Sequence, residues 1–154
     1  MDNSPQPAQG SPARTQLQKM EIDRISRLPE IPDIPDEEDA SRGVLLSERI
    51  ERLCTKYQMI DPFHPEKCLK PAAYELCVGS LFGKAGKTYP LKEGDVMEIE
   101  PFDVVVIQTL ETLNLPKFLI ARWNLRVKWA YRGLLWVGAA QVDPGYRGFL
   151  SCPL

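Results

Sequence analysis

The chain has 154 residues, enough for one compact domain with an extension. Its formal net charge of -2 gives no bulk basicity, which argues against a nucleic-acid polymer or an anionic membrane as partner. No apolar run approaches the roughly 18 residues of a membrane span, and four cysteines without a CxxC pair, beside the single His64, make neither a zinc set nor a disulfide scaffold. His64 and Cys68 lie close together, but two ligands are not a metal site. A reducing, cytoplasmic setting with free thiols is expected.

Residues 1–42 do not read as core. Leu17, Met20, Ile25 and Leu28 have loosely helical spacing, and then prolines at 29, 32 and 35 favour an extended path. Six acids between Glu30 and Asp39 keep that stretch solvated. The expectation is a disordered Pro- and acid-rich arm, a linker or a partner-docking strand, ahead of a domain over 43–154.

Ile50, Leu53, Cys54 and Tyr57 form one apolar stripe, which predicts a short helix over Ser47 to Lys56 with Ser47 as its N-cap. From Ala72 the period changes to two. Tyr74, Leu76 and Val78 alternate with Glu75 and Cys77, and Gly79 is read as the end of the run. Val96 and Ile99 border a second short strand after the turn at Lys92 to Asp95. Val104 to Leu110 is β-branched, and Phe118 to Trp123 and Leu134 to Ala140 are further strands. Short strands with turn residues at close spacing predict an all-β barrel or jelly roll.

Thr112 to Val142 contains no acid, yet carries Lys117, Arg122, Arg126, Lys128 and Arg132. A one-signed stretch focuses a field suited to an anion such as a triphosphate, and arginine grips phosphate bidentately. The plain alternative is a basic rim paired with acids elsewhere, such as Glu98 and Glu100. Immediately afterwards, Gln141-Val-Asp-Pro-Gly-Tyr-Arg-Gly148 is a hairpin turn by its Pro144 and Gly145. It also sets a carboxylate beside the basic stretch, able to bond a sugar hydroxyl or orient a water, and an aromatic able to stack.

In order, Leu45 to Ile50, Ile60 to Phe63, Leu69 to Gly79, Leu91 to Asp95, Val104 to Leu110, Leu113 to Pro116, Arg126 to Leu134 and Gln141 to Gly148 resemble the dCTP deaminase and dUTPase superfamily. The resemblance covers about 110 residues and implies a jelly-roll-like, β-clip barrel of the dUTPase type with a short N-terminal helix. It further implies a homotrimer that binds a pyrimidine deoxynucleoside triphosphate with Mg²⁺ and uses no zinc. Arg126, Lys128 and Arg132 fall to the phosphates, Gln141 to the base, Asp143 to the sugar or a catalytic water, and Tyr146 to stacking or packing.

Three segments depart from the pattern. Val127 and Lys128 stand where the family's phosphate motif has two serines, and a valine cannot hydrogen-bond a phosphate. Ala139, Ala140 and Gln141 replace an Ala-His-Arg type segment. Pro153 stands where deaminases carry the glutamate that shuttles protons. Deamination of dCTP to dUTP, dUTP pyrophosphatase activity and a catalytically silent nucleotide-binding or regulatory module therefore all stay open. The family's barrel continues past the point matching Leu154, so a fragment, or a gap covered by another chain, is expected.

Overall fold

The computed structural model describes residues 19–20, 22–37 and 42–154. Helix α1, Ser47–Tyr57, buries the expected stripe of Ile50, Leu53, Cys54 and Tyr57. Spacing of three and four residues places all four on one side of the helix. Leu53 is 1% exposed, a burial that stabilises the fold by about 2 kcal/mol. Ser47 is not the cap. Leu46 occupies that position with extended backbone and no side chain caps the helix, because the Ser47 amide is satisfied by the Pro71 carbonyl at 2.9 Å. At the other end Gln58 takes a left-handed conformation and returns its N–H to Cys54.

The remaining elements, in order, are β1 (Ile60–Asp61), α2 (Pro65–Cys68), β2 (Leu69–Lys70), β3 (Ala73–Tyr74), β4 (Val78–Lys84), β5 (Lys87–Pro90), β6 (Val105–Asn114), β7 (Ala121–Arg122), α3 (Val127–Ala130), β8 (Gln141–Val142) and β9 (Arg147–Pro153). Strand β6 is the spine of a five-stranded antiparallel sheet. β4 and β1 pair along one edge of it and β9 along the other. β5 folds back on β4 through Ala85 and Gly86, both at positive φ, the backbone of a tight two-residue hairpin. Two further ribbons pair β2 with β3 and β7 with β8.

Both ladders on β6 shift register over the same stretch. The β4 register changes between Val78 and Phe82, and the β9 register between Gln108 and Thr112. Such irregularities bend a sheet and raise its twist, and they curl this one into half a barrel over α1. The core joins α1 to Met59, Ile60, Leu113, Leu115, Val142 and Leu150. The fold class is thus the expected β class with few helices.

Several strand boundaries differ from expectation. Gly79 lies inside β4, not at its end, because a Cβ there would meet the Thr109 carbonyl oxygen at 2.7 Å. β6 runs on to Asn114, since Glu111, Thr112 and Asn114 are buried despite their polarity. Residues 91–104 form no strand and Val96 is exposed, while Leu134 to Ala140 contributes no strand and Phe118 to Trp123 only β7.

Part of the arm lies among the described residues. Residues 1–18, 21 and 38–41 of it lie outside the described residues. Residues 22–26 are helical, and Leu28 is buried at 6% exposure. Arg24 donates to the Asp61 carboxylate at 3.2 Å, to the Asp61 carbonyl, and to the Leu110 carbonyl at 3.1 Å. Prolines and acids mask this docking in the sequence, because its partners are backbone carbonyls and side chains far along the chain.

Candidate functional site

The six residues singled out from sequence fall into two groups. The first is the hairpin between β8 and β9. Val142 points into the core at 3% exposure, which by strand alternation turns its neighbours Gln141 and Asp143 outward; both are exposed. The Tyr146 amide bonds the Asp143 carbonyl at 3.1 Å, with Pro144 second and Gly145 third at φ 76°. Positive φ at the third position is what a type II turn requires. The turn is pinned to the segment after β6 by Leu115 N–H to the Tyr146 carbonyl at 2.8 Å and Gly145 N–H to the Pro116 carbonyl at 3.4 Å.

Within this turn the Gln141 amide donates to Asp143 Oδ1 at 2.8 Å. The carboxylate is thereby oriented by its neighbour on the same exposed edge. Tyr146 is half-buried against the core and its hydroxyl donates to the Phe149 carbonyl. Burial raises the pKa of that hydroxyl. Ring and hydroxyl of Tyr146 are both committed within the turn.

The second group surrounds α3. Arg126 Nη1 pairs with Glu75 Oε2 at 2.7 Å, and Lys70 Nζ reaches the same oxygen at 3.8 Å. Lys128 Nζ and Arg132 Cζ lie 5.0 Å and 5.1 Å from the centre of the Trp129 ring, a separation at which the ring quadrupole attracts a cation. Glu75 and Trp129 were not foreseen as site residues. Arg126 is indeed paired with an acid, though with Glu75 and not with Glu98 or Glu100. Lys117, at the edge of the basic stretch, pairs with Asp33 of the arm at 2.7 Å.

α3 belongs to an excursion between β7 and β8. Arg122 stands opposite Gln141, the Trp123 amide bonds the Ala140 carbonyl at 2.9 Å, and the Trp123 and Trp136 rings close the base of the loop at 4.9 Å. Among the described residues no hydrogen bond or ion pair joins Arg126, Lys128 or Arg132 to Gln141 or Asp143. One chain therefore builds both groups without bringing them into contact. Val127 is exposed at 64%. Pro153 pairs with Val106 within β9 and brings no titratable group.

Two features escaped the sequence reading. A cavity of about 860 Å³ opens on the β4, β5 and β6 face, lined by Phe82, Lys84, Phe102, Val106 and Ser151 among others, and none of the six residues touches it. Glu111 is fully buried; its Oε2 accepts the Cys77 amide at 2.9 Å and its Oε1 has no partner. Burial first, then the Glu111 carboxylate, pushes the nearby Cys77 thiol up to about 12. Among the described residues no three His, Cys, Asp or Glu side chains converge as a metal site, and no helix is long and apolar enough to cross a membrane.

No family model matches the chain. It is 39% identical over 93 residues to a dCTP deaminase of Thermococcus sibiricus, covering 60% of this chain and 58% of the relative. It is 36% identical over 97 residues to a dCTP deaminase of Thermococcus kodakarensis, covering 62% and 61%. A third dCTP deaminase, from Pyrococcus horikoshii, is 38% identical over 97 residues, covering 62% and 60%. The chain thus spans about three-fifths of the length of the curated relatives it matches. Among solved structures, the 2'-deoxycytidine 5'-triphosphate deaminase of Agrobacterium tumefaciens superposes with a TM-score of 0.62 at 17% identity, over 72% of this chain and 41% of that one. The superposition and the curled sheet define a β protein of the dUTPase-type fold. In sequence the chain resembles the named dCTP deaminases, and in fold it resembles a solved one.

Proposed function

We propose that the chain is a dCTP deaminase-like protein of deoxynucleotide metabolism, working in the cytoplasm on a pyrimidine deoxynucleoside triphosphate. The observation that carries this reading is the likeness to named dCTP deaminases over 93 residues or more. In it, Arg126, Lys128 and Arg132 bind the phosphates, Gln141 reads the base, and Asp143 meets the sugar or a water. Tyr146 keeps the turn in shape. A homotrimer would set the cations of one copy against the carboxylate of the next, which the separation of the two groups within one chain supports.

Mg²⁺ does not fit a cage made by this chain. Asp143 is a lone carboxylate partnered by an amide, and no acidic cluster converges among the described residues. Mg²⁺ commonly binds through substrate phosphates with only one or two carboxylates, so it belongs to the nucleotide in this reading and no step is assigned to it.

Two residues favour a second reading, a nucleotide-binding module without turnover. Val127 cannot donate a hydrogen bond, and Pro153 supplies no general acid or base. Loss of such a group slows a reaction by about 10²- to 10⁴-fold. Calorimetric titration with dCTP, dUTP and dTTP in the presence of Mg²⁺ tests binding. Heat with at least one of them, lost in Asp143→Asn, is expected; no heat with any of them ends the proposal. Ammonia release from dCTP, or pyrophosphate release from dUTP, then separates an enzyme from a silent module.

A further inference from the structure

The stretch from residue 22 to residue 33 crosses the barrel beside the Asp143 turn. We propose that it is a positioning strap for that turn, with Arg147 as its clasp. Arg147 opens β9, one residue beyond Tyr146. Its Nη2 donates to the Leu28 carbonyl at 2.6 Å and to the Ile25 carbonyl at 3.3 Å. Both carbonyls lie at the end of the helical residues 22–26, where a cation is favoured, and the Ile25 carbonyl also accepts the Leu28 amide at 3.2 Å.

Further features fix the strap against other elements. Leu28 is 6% exposed. Asn114 Nδ2, at the end of β6, donates to the Pro29 carbonyl at 3.0 Å. Asp33 pairs with Lys117 at 2.7 Å, and the stem of Lys117 lies 3.1 Å from the place a Cβ would take on Gly145. Upstream, Arg24 bonds Asp61 and the Leu110 carbonyl and lies 5.5 Å over the Phe149 ring. The strap therefore reaches Gly145, Arg147 and Phe149, the half of the hairpin that follows Asp143.

A mere linker would not bury a leucine or place its carbonyls against side chains of β6 and β9. Pro29 and Pro32 lack the N–H that a strand ladder needs, so side-chain donors of the barrel hold the stretch after the helical residues instead. The strap sets where the turn sits relative to β6, and through the turn it sets the Gln141–Asp143 pair. Its bearing on a nucleotide rests on the function proposed above; its bearing on the turn does not.

Amide hydrogen exchange on the full chain tests this, comparing wild type with Arg147→Gln, Arg147→Lys and Asp33→Asn. Arg147→Gln should speed exchange at Gly145, Tyr146 and Leu115 by about tenfold or more while the Leu110 amide, bonded to Cys77 between β4 and β6, stays within about twofold. Arg147→Lys should restore part of the protection, because an ammonium can still reach one carbonyl. Asp33→Asn removes only an exposed pair and keeps the fold, and it should speed Gly145 alone. Unchanged turn amides in all three, or equal acceleration at Leu110, would overturn the strap. Titration with dCTP and Mg²⁺ is run in parallel. If wild type binds and Arg147→Gln binds at least fivefold more weakly with Arg147→Lys intermediate, the strap also positions the site. If wild type does not bind, the nucleotide reading falls while the exchange data still judge the strap.

Discussion

Asn114 is the joint of the molecule, and its replacement gives the most exacting check on the fold. It is 2% exposed. Its Nδ2 donates both protons, to the Tyr57 carbonyl at 2.9 Å and to the Pro29 carbonyl at 3.0 Å. Tyr57 ends α1, so its carbonyl has no helical partner. Asn114→Ala removes both donors from buried acceptors and opens a small void. Each lost bond costs about 1 kcal/mol, or about 1–3 where the acceptor is stranded, so roughly 2–4 kcal/mol in all. That is a large share of the roughly 5–15 kcal/mol that holds a domain together.

Asn114→Leu separates the terms: it refills the volume but supplies no donor, so it should recover the void and keep the bond loss. Asn114→Asp sets a carboxylate against two carbonyl oxygens. Folding raises the pKa of that new carboxyl, so the ionised form is penalised above the ordinary carboxylate range of about 4. The penalty should shrink as pH falls, since the protonated acid donates one of the two bonds. Urea unfolding at pH 7 and pH 4.5, read as midpoint at constant slope, measures all three. An Asn114→Leu chain within about 0.5 kcal/mol of wild type, together with an Asn114→Asp penalty independent of pH, would refute the reasoning.

Gly79→Ala should cost about 2–3 kcal/mol in urea unfolding, because the new methyl meets the rigid Thr109 and Gln108 carbonyl oxygens at 2.7 Å and 3.0 Å; an unaffected midpoint would mean the strands are free to part. Glu111→Gln keeps an acceptor for the Cys77 amide and should stay within about 1 kcal/mol of wild type, whereas Glu111→Ala strands that amide and leaves a void, at about 2–4 kcal/mol. Equal melting of the two variants would show that the bond does not count. Burial pushes the Cys54 thiol from 9.0 to about 12. A raised folded pKa gives stability that is complete below the unfolded value near 9 and is lost as pH climbs from there toward 12. The urea midpoint should accordingly fall between pH 8 and pH 10.5, and fall less in Cys54→Ala; the same decline in both would exclude Cys54 as the cause. Glu75→Gln should release Arg126 and tighten inorganic triphosphate binding at low ionic strength by about threefold or more; no change would mean that Arg126 meets no phosphate.

What the sequence revealed follows the range of the forces involved. The α1 stripe was legible because Ile50, Leu53, Cys54 and Tyr57 encode their burial within two turns. The Asp143 to Tyr146 turn was legible because proline and glycine carry their backbone preferences with them. β7 was legible only within the longer run Phe118 to Trp123 and β8 not at all, since strands of two residues carry no period and rest on Ala121 facing Val142 across an intervening loop. The end of β6 was misread for a related reason. Glu111, Thr112 and Asn114 look like surface residues, and only the register shift beside them and the strap above Asn114 make them interior. Docking of the arm lay equally out of reach, because Arg147 finds Leu28 across 119 positions.

The surroundings of the six candidate residues were not legible, and the reason lies in charge neutralisation. A cation placed by sequence in an acid-free stretch still meets acids from elsewhere: Lys117 meets Asp33, and Arg126 meets Glu75. Those two pairs differ in what an incoming anion could do. Glu75 also has Lys70 at 3.8 Å, so a phosphate that draws Arg126 away does not strand the carboxylate. Exposed pairs of this kind are worth about 0–1 kcal/mol, less than the roughly 1.5–3 kcal/mol of a hydrogen bond between charged partners. Lys128 and Arg132 rest only on an indole face, held by about 0.5–1 kcal/mol each at an exposed site. The cations around α3 are thus held loosely enough to exchange partners, whereas the Asp143 turn is fixed on both sides by backbone bonds and the strap. An anion reaching α3 would therefore meet cations free to turn toward it, while the carboxylate hairpin keeps its shape.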